Sequence, residues 1–214
     1  MTNLPRSDSE LGHADSLPPS AEATAKTRNS TSASPYTFRL ASTADAAAIS
    51  SLVGSTWAEH FGTSVSPADL DEYLNVSLAP AQICKEISEP SYKFVLATTA
   101  RHNDQESGSP EEIVGVAQLH AGPPEECLTL PNPIFLKRFY LKTSTHGTGL
   151  ALTLLQSAER LARDLGYQSI WLGVWEGNAR GMRFYEKVGF ERKGEQYFYA
   201  GGSKRRDWVL EKAL

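Results

Sequence analysis

Residues 134–155 read Ile-Phe-Leu-Lys-Arg-Phe-Tyr-Leu-Lys-Thr-Ser-Thr-His-Gly-Thr-Gly-Leu-Ala-Leu-Thr-Leu-Leu. Ile134–Leu141 is rich in aromatic and apolar residues and reads as a strand. Beyond His146-Gly147-Thr148-Gly149, the residues Leu150, Ala151, Leu154, Leu155, Ala158, Leu161, Ala162 and Leu165 recur at helical spacing, and Gly166 is placed to end that helix. The chain here is strand, glycine loop, helix. Free N–H groups at a helix start attract an anion, and small residues let it approach the backbone. Taken alone the loop reads equally as a tight turn, because it matches neither GxGxxG nor GxxxxGK[ST].

Downstream, Gln168–Trp175 reads as a strand, with Ile170, Leu172 and Val174 on one face and Trp171, Gly173 and Trp175 on the other. Asn178 is placed to cap a short helix that stops at Gly189. Upstream, Tyr36–Leu40 is a short strand. Ser42 with Asp45 resembles a capping box ahead of a helical stripe through Ile49, Leu52, Val53, Trp57 and Phe61. Ser66-Pro67 starts a second helix that Leu70, Tyr73 and Leu74 continue, and 81–87 forms a third before Pro90. Tyr92–Thr99 and Ile113–His120 are strands joined by the polar hairpin loop 101–111. Pro123, Pro124, Pro131 and Pro133 mark an irregular segment outside any sheet. This gives an α/β (α+β) domain over 36–214.

Residues 1–35 differ from this domain. They hold eleven Ser or Thr, and their large apolar residues are Met1, Leu4, Leu11 and Leu17. Such a stretch buries too little surface to offset its ordering entropy, so it is expected to be a disordered tail. It has no apolar core for a secretory signal, and Asp8, Glu10, Asp15 and Glu22 argue against a mitochondrial presequence.

The 214 residues carry 21 basic and 25 acidic groups, net −4. That balance excludes a surface built to coat nucleic acid or an anionic membrane. No apolar run is long enough for a membrane span. Two isolated cysteines, Cys84 and Cys127, point to a reducing, cytoplasmic compartment, with nuclear access left open. Five scattered histidines and no CxxC pattern argue against a metal.

The strand end Leu172-Gly173-Val174-Trp175-Glu176, Asn178, Phe184-Tyr185 and Val188-Gly189-Phe190 resemble the second signature of the GNAT-superfamily acetyltransferases, and His146–Ala151 resembles their pyrophosphate loop. Trp57, Phe61-Gly62, the run Pro67–Leu74, Arg138-Phe139-Tyr140 and the closing Gly194, Phe198, Gly201 and Asp207 are similar to the branch that includes bacterial spermidine/spermine acetyltransferases. The resemblance spans 36–214. It implies the GNAT fold: a mixed, mostly antiparallel sheet with a central splayed parallel pair and helices on both faces. It implies acetyl transfer from acetyl-CoA, without a metal, to a primary amine of a small molecule (polyamine-like, amino acid or xenobiotic) by direct attack in a ternary complex. The backbone of Phe139, Tyr140 and Leu141 would hold the pantetheine arm, and His146, Gly147, Thr148, Gly149, Leu150 and Ala151 the pyrophosphate. Asn178 would contact the cofactor. Tyr185 would contact it too, and would be the catalytic acid that protonates the leaving thiolate. Monomer and homodimer both stay open.

Two positions depart from that family's pattern. His146 stands where Arg or Gln is usual, so cofactor affinity is expected to weaken at high pH if its charge contributes. Phe135 stands where an acid is expected, which leaves the general base open among Glu125, Glu126, His120 and Glu176 and weakens the polyamine reading. Lys204-Arg205-Arg206 reads as edge-strand charge that discourages pairing. Trp171 and Trp175 fit either core packing or an acceptor pocket. A protein or peptide N-acetyltransferase and a non-catalytic acyl-CoA-binding module are the competing functions.

Overall fold

The computed structural model describes residues 34–99 and 111–214, so the expected tail (apart from its last two residues) and almost all of the 101–111 loop lie outside the described residues. The chain order is β1 (Tyr36–Leu40), α1 (Ala46–Phe61), α2 (Pro67–Glu72), α3 (Pro80–Ser88), β2 (Tyr92–Thr99), β3 (Ile113–His120), β4 (Pro133–Leu141), α4 (Leu150–Asp164), β5 (Ser169–Trp175), α5 (Ala179–Lys187), β6 (Glu191–Ala200) and β7 (Ser203–Ala213). The strands form one sheet in the order β1-β2-β3-β4-β5-β7-β6. Every neighbouring pair is antiparallel except β4 with β5.

Alternation along the central strands divides the core in two. Val95, Ala97, Ala117, Leu119, Ile134 and Leu136 face α4, whose Leu150, Leu154, Leu155, Ala158 and Ala162 form the stripe read from sequence. Phe94, Leu96 and Val116 face the opposite side, against Ile49, Leu52 and Val53 of α1 and Ile83 of α3. Helices therefore cover both faces. Ser42 and Asp45 do form a capping box, on a short 3-10 turn that leads into α1, and Arg39 locks it through Asp45 at 2.8 Å.

Two local expectations are corrected. Pro133 is in the sheet, at the first residue of β4, where its missing N–H removes no interior ladder bond. Tyr73 and Leu74 leave the α2 geometry for a π turn over Tyr73–Ser77, with the Leu78 amide bonded to the Tyr73 carbonyl at 3.0 Å. Lys204-Arg205-Arg206 extends past the β5 ladder, which stops at Asp207, and pairs with β6 alone, as an edge segment does, although the rest of β7 is inserted between β5 and β6. That insertion is a long-range pairing with no local sequence signal.

Candidate active site

β4 and β5 pair over only three positions: Pro133 with Ser169, Ile134 with Ile170 and Phe135 with Trp171. Beyond Phe135 they diverge, while β4 stays paired to β3 as far as Leu141 and β5 to β7 as far as Trp175. The facing edges of 136–141 and 172–175 are thus left without strand partners. An extended ligand could add to such an edge through main-chain hydrogen bonds. Phe135 and Trp171 close the splay at its base, stacked with ring centroids 4.0 Å apart.

The loop after β4 makes a short 3-10 turn, Thr143–Thr145, before α4 begins at Leu150. Gly147 and Gly149 have φ of 82° and 86°, and a Cβ at either would meet nothing within 4 Å. These conformations favour glycine, and the space beside them is open, which suits an anion against the helix start. His146 sits on this loop with its Nδ1 3.0 Å from Arg180 Nη1. Arginine is donor-only, so His146 accepts here as a neutral imidazole. Burial, Arg180 and His60 all push its pKa below the ordinary value. The cation beside the loop is therefore Arg180 of α5, which sequence reading missed.

Asn178 caps α5, its side-chain oxygen accepting from the Gly181 amide at 2.9 Å. α5 carries Tyr185 back to β4, where its ring lies 6.4 Å from Phe139, 5.3 Å from Phe184 and 5.5 Å from Phe190. Burial raises its phenol above the ordinary value, so it stays protonated across the working pH range.

The splay opens into a cavity of about 470 Å³. Phe139, Tyr140, Asn178 and Tyr185 line it, whereas Leu141 and the His146–Ala151 loop lie outside its wall. Its far side carries aromatic residues, among them Trp57 and Phe61 of α1, Tyr73, Trp171, Trp175 and Phe198. Trp171 and Trp175 are thus pocket residues. Of the four candidates for the base, His120 and Glu125 line the cavity and Glu126 and Glu176 do not. His120 is stacked on Tyr92 at 4.2 Å, and burial and Lys137 lower its pKa. Glu176 is engaged by Arg206 at 3.0 Å.

Two buried carboxylates flank this region, and neither was singled out as a base from sequence. Glu86 of α3 is 3% exposed. A bulge in β4 at Lys137 aims both Lys137 and Arg138 at it. Lys137 Nζ lies 2.8 Å from Oε1, while Gln118, at 2.8 Å, and Arg138 both donate to Oε2. Burial would raise this carboxyl, yet the Arg138 charge and the hydrogen bonds from Lys137 and Gln118 hold it at about 2. Asp207 of β7 is 6% exposed and lines the cavity. Its Oδ1 has no hydrogen-bond partner among the described residues, and Arg205 Nη2 stays 4.0 Å away. Arg205, also buried, donates to Ser64 at 3.0 Å and is surrounded by the rings of Trp57, Phe61, Trp175 and Phe198 at 4.7–5.6 Å. Its Nε and the Trp171 Nε1 are likewise without partners. Among the described residues no cluster could hold a metal ion, and no helix is long and apolar enough to cross a membrane.

Comparison with known proteins agrees with this geometry. Residues 57–190 match the model of the acetyltransferase (GNAT) family. An uncharacterised N-acetyltransferase of Mycobacterium tuberculosis is 30% identical over 151 residues, covering 71% of this chain and 86% of the relative. One from Lactobacillus delbrueckii subsp. lactis is 29% identical over 160 residues, covering 74% and 86%. Among solved structures, the PaiA N-acetyltransferase of Thermoplasma acidophilum, in complex with coenzyme A, superposes with a TM-score of 0.64 at 21% identity, covering 84% of this chain and 99% of that one. The spermidine/spermine N-acetyltransferase SpeG of Vibrio cholerae superposes with a TM-score of 0.57 at 18% identity, covering 84% and 94%.

Proposed function

Since the chain belongs to the GNAT family of acetyltransferases, enzymes that draw acetyl from acetyl-CoA, we propose that it acetylates the primary amine of a small molecule by direct attack in a ternary complex. The observation that carries this reading is the splay of β4 from β5 beyond Phe135, whose open edges lead into a walled cavity of about 470 Å³. The donor's pantetheine arm runs along Phe139, Tyr140 and Leu141, and its pyrophosphate rests on the amides of Gly147, Thr148, Gly149, Leu150 and Ala151. Arg180 supplies the neighbouring positive charge, with neutral His146 as its acceptor. Asn178 caps α5 and contacts the arm. Backbone amides of β4 steady the thioester oxygen. Tyr185, held protonated by burial, gives its proton to the leaving sulfur.

The cavity wall favours a monoamine with a flat apolar body over a polyamine. Its walls are aromatic, and the charged groups lining it are Glu125 and Asp207 against Lys137, Arg138 and Arg205. Lys137 and Arg138 are paired with Glu86, so it is the aromatic wall that favours the flat apolar body. Its limited volume favours a small molecule over a peptide.

A thiol-release assay with acetyl-CoA tests the proposal over 2-phenylethylamine, spermidine, amino acids and peptides. The expected result is turnover led by the monoamine. Turnover led by peptides would move the function to protein acetylation. Coenzyme A binding without turnover of any amine would make the chain an acyl-CoA-binding module.

A further inference from the structure

Phe135 cannot take a proton, yet a primary amine reaches the enzyme mostly as an ammonium ion and must lose a proton before it can attack. The carboxylate that could accept this proton has to face the splay from the acceptor side. Register identifies one. Asp207 pairs with Trp175 across the β5–β7 ladder, so it shares a face with Trp171, Gly173 and Trp175, the cavity side of β5. Its neighbours on that face are Gln196 and Phe198 of β6 and Arg205 of its own strand. A Cβ added at Gly173 would run into the Gln196 amide and lie 3.4 Å from Asp207 Oδ2, an ordinary contact, which places both side chains over this glycine.

The chemistry around Asp207 is that of an incomplete site. A structural ion pair normally closes to hydrogen-bond distance, because desolvating two charges is otherwise uncompensated. Here Arg205 stays at 4.0 Å, and Asp207 Oδ1 and Arg205 Nε have no hydrogen-bond partners among the described residues. Glu86, in the same protein, shows what a closed buried carboxylate looks like. We propose that Asp207 is the acceptor-side base, taking the proton from the ammonium of the incoming amine in the place that Phe135 leaves unfilled. This rests on the small-amine reading given above.

The step balances. Asp207 removes one proton from the ammonium and becomes a neutral carboxylic acid. The freed nitrogen lone pair forms the N–C bond to the thioester carbonyl, and the C–S bond breaks as the tetrahedral intermediate collapses. The nitrogen's second proton replaces the one that Tyr185 gives to sulfur. The products are the amide and the free thiol, and Asp207 returns its proton to solvent. The other charged groups near Asp207 are Arg205, which favours its ionised form, and Glu176, which opposes it. Burial is the largest influence and raises the carboxyl to about 6.

The test compares wild type with Asp207→Asn on the fastest amine of the panel and on its β,β-difluorinated analogue, whose weaker basicity lets much more of it arrive neutral. Coenzyme A calorimetry checks that the variant is folded. The expected result is a loss of kcat of about 100-fold or more on the parent amine, and of less than about tenfold on the fluorinated one. Asp207→Ser, which also lacks a carboxylate, takes over if Asp207→Asn does not bind coenzyme A, with the same contrast between amines expected. An equal loss on both amines, or no loss on either, overturns the role of Asp207 and leaves acetyl transfer standing. A wild type that turns over no amine overturns both.

Discussion

Glu86 and Asp207 are both carboxylates almost sealed from solvent, yet their surroundings push them in opposite directions. Glu86 accepts from Lys137, Gln118 and Arg138, and titrates at about 2 against an ordinary 4.5. Asp207 has a cation held at 4.0 Å and an oxygen without a hydrogen-bond partner among the described residues, and burial pushes it up to about 6 against an ordinary 3.8. Burial is the first influence on both, so burial alone does not make a working group. The difference is the number of donors that come with it. Glu86 joins α3 to β3 and β4, while Asp207 Oδ1 joins its strand to no other element among the described residues.

Linkage turns this contrast into opposite pH dependences. Glu86 contributes stability that is fully present above about pH 4.5 and is lost as pH falls toward 2. Asp207 costs nothing below about pH 3.8, and its cost is complete above about pH 6.

The largest effect is expected at Glu86. Glu86→Ala leaves Lys137 and Arg138 uncompensated around a buried cavity and should cost about 3–5 kcal/mol in urea unfolding at pH 7. A cost below about 1 kcal/mol would erase the distinction between the two carboxylates. Next comes the acid on the donor side. Tyr185→Phe should lower kcat roughly 100-fold with coenzyme A affinity nearly unchanged, because the ring keeps its packing on Phe139 and Phe190. Wild-type turnover in that variant would remove Tyr185 from the chemistry. Asp207→Asn should do the opposite of Glu86→Ala to stability. At pH 8 it should be more stable than wild type by on the order of 2 kcal/mol, and thermal melts should show the gap closing by pH 4. A variant less stable than wild type at pH 8 would mean that the carboxylate is structural. Smallest is the loop cation: Arg180→Ala should weaken coenzyme A binding several-fold, about 1 kcal/mol. Wild-type affinity should hold across the ordinary imidazole pKa of about 6.5, from about pH 5.5 to 8, because arginine keeps its charge. A decline over that range would restore the charge to His146.

How much of this could be read from the chain depends on the range of the signal. The strand, loop and helix of 134–165 were legible because alternation, paired glycines and a helical stripe are local. Motif order pointed to Asn178 and Tyr185, and both line the cavity. Asp207 and Arg205 were visible as residues, but their setting was not. Lys204-Arg205-Arg206 looks like a charge run until its pairing with β6 is known. That pairing sends Arg205 and Asp207 to the cavity face, while Lys204 stacks on Tyr197 and Arg206 joins Glu176. Arg180 was hidden for a similar reason, since only the folded chain brings it to His146. In each case the missing information was a contact between distant segments.

The most direct test of the account is the pH dependence of kcat/KM for wild-type enzyme with a strongly basic amine. If Asp207 removes the proton from a bound ammonium, kcat/KM should rise to about pH 6 and then stay level, up to the pKa of the amine. If the enzyme can use only amine that is already neutral in solution, kcat/KM should instead climb tenfold per pH unit through pH 7 and 8. The first profile is the one predicted, and the second would contradict it.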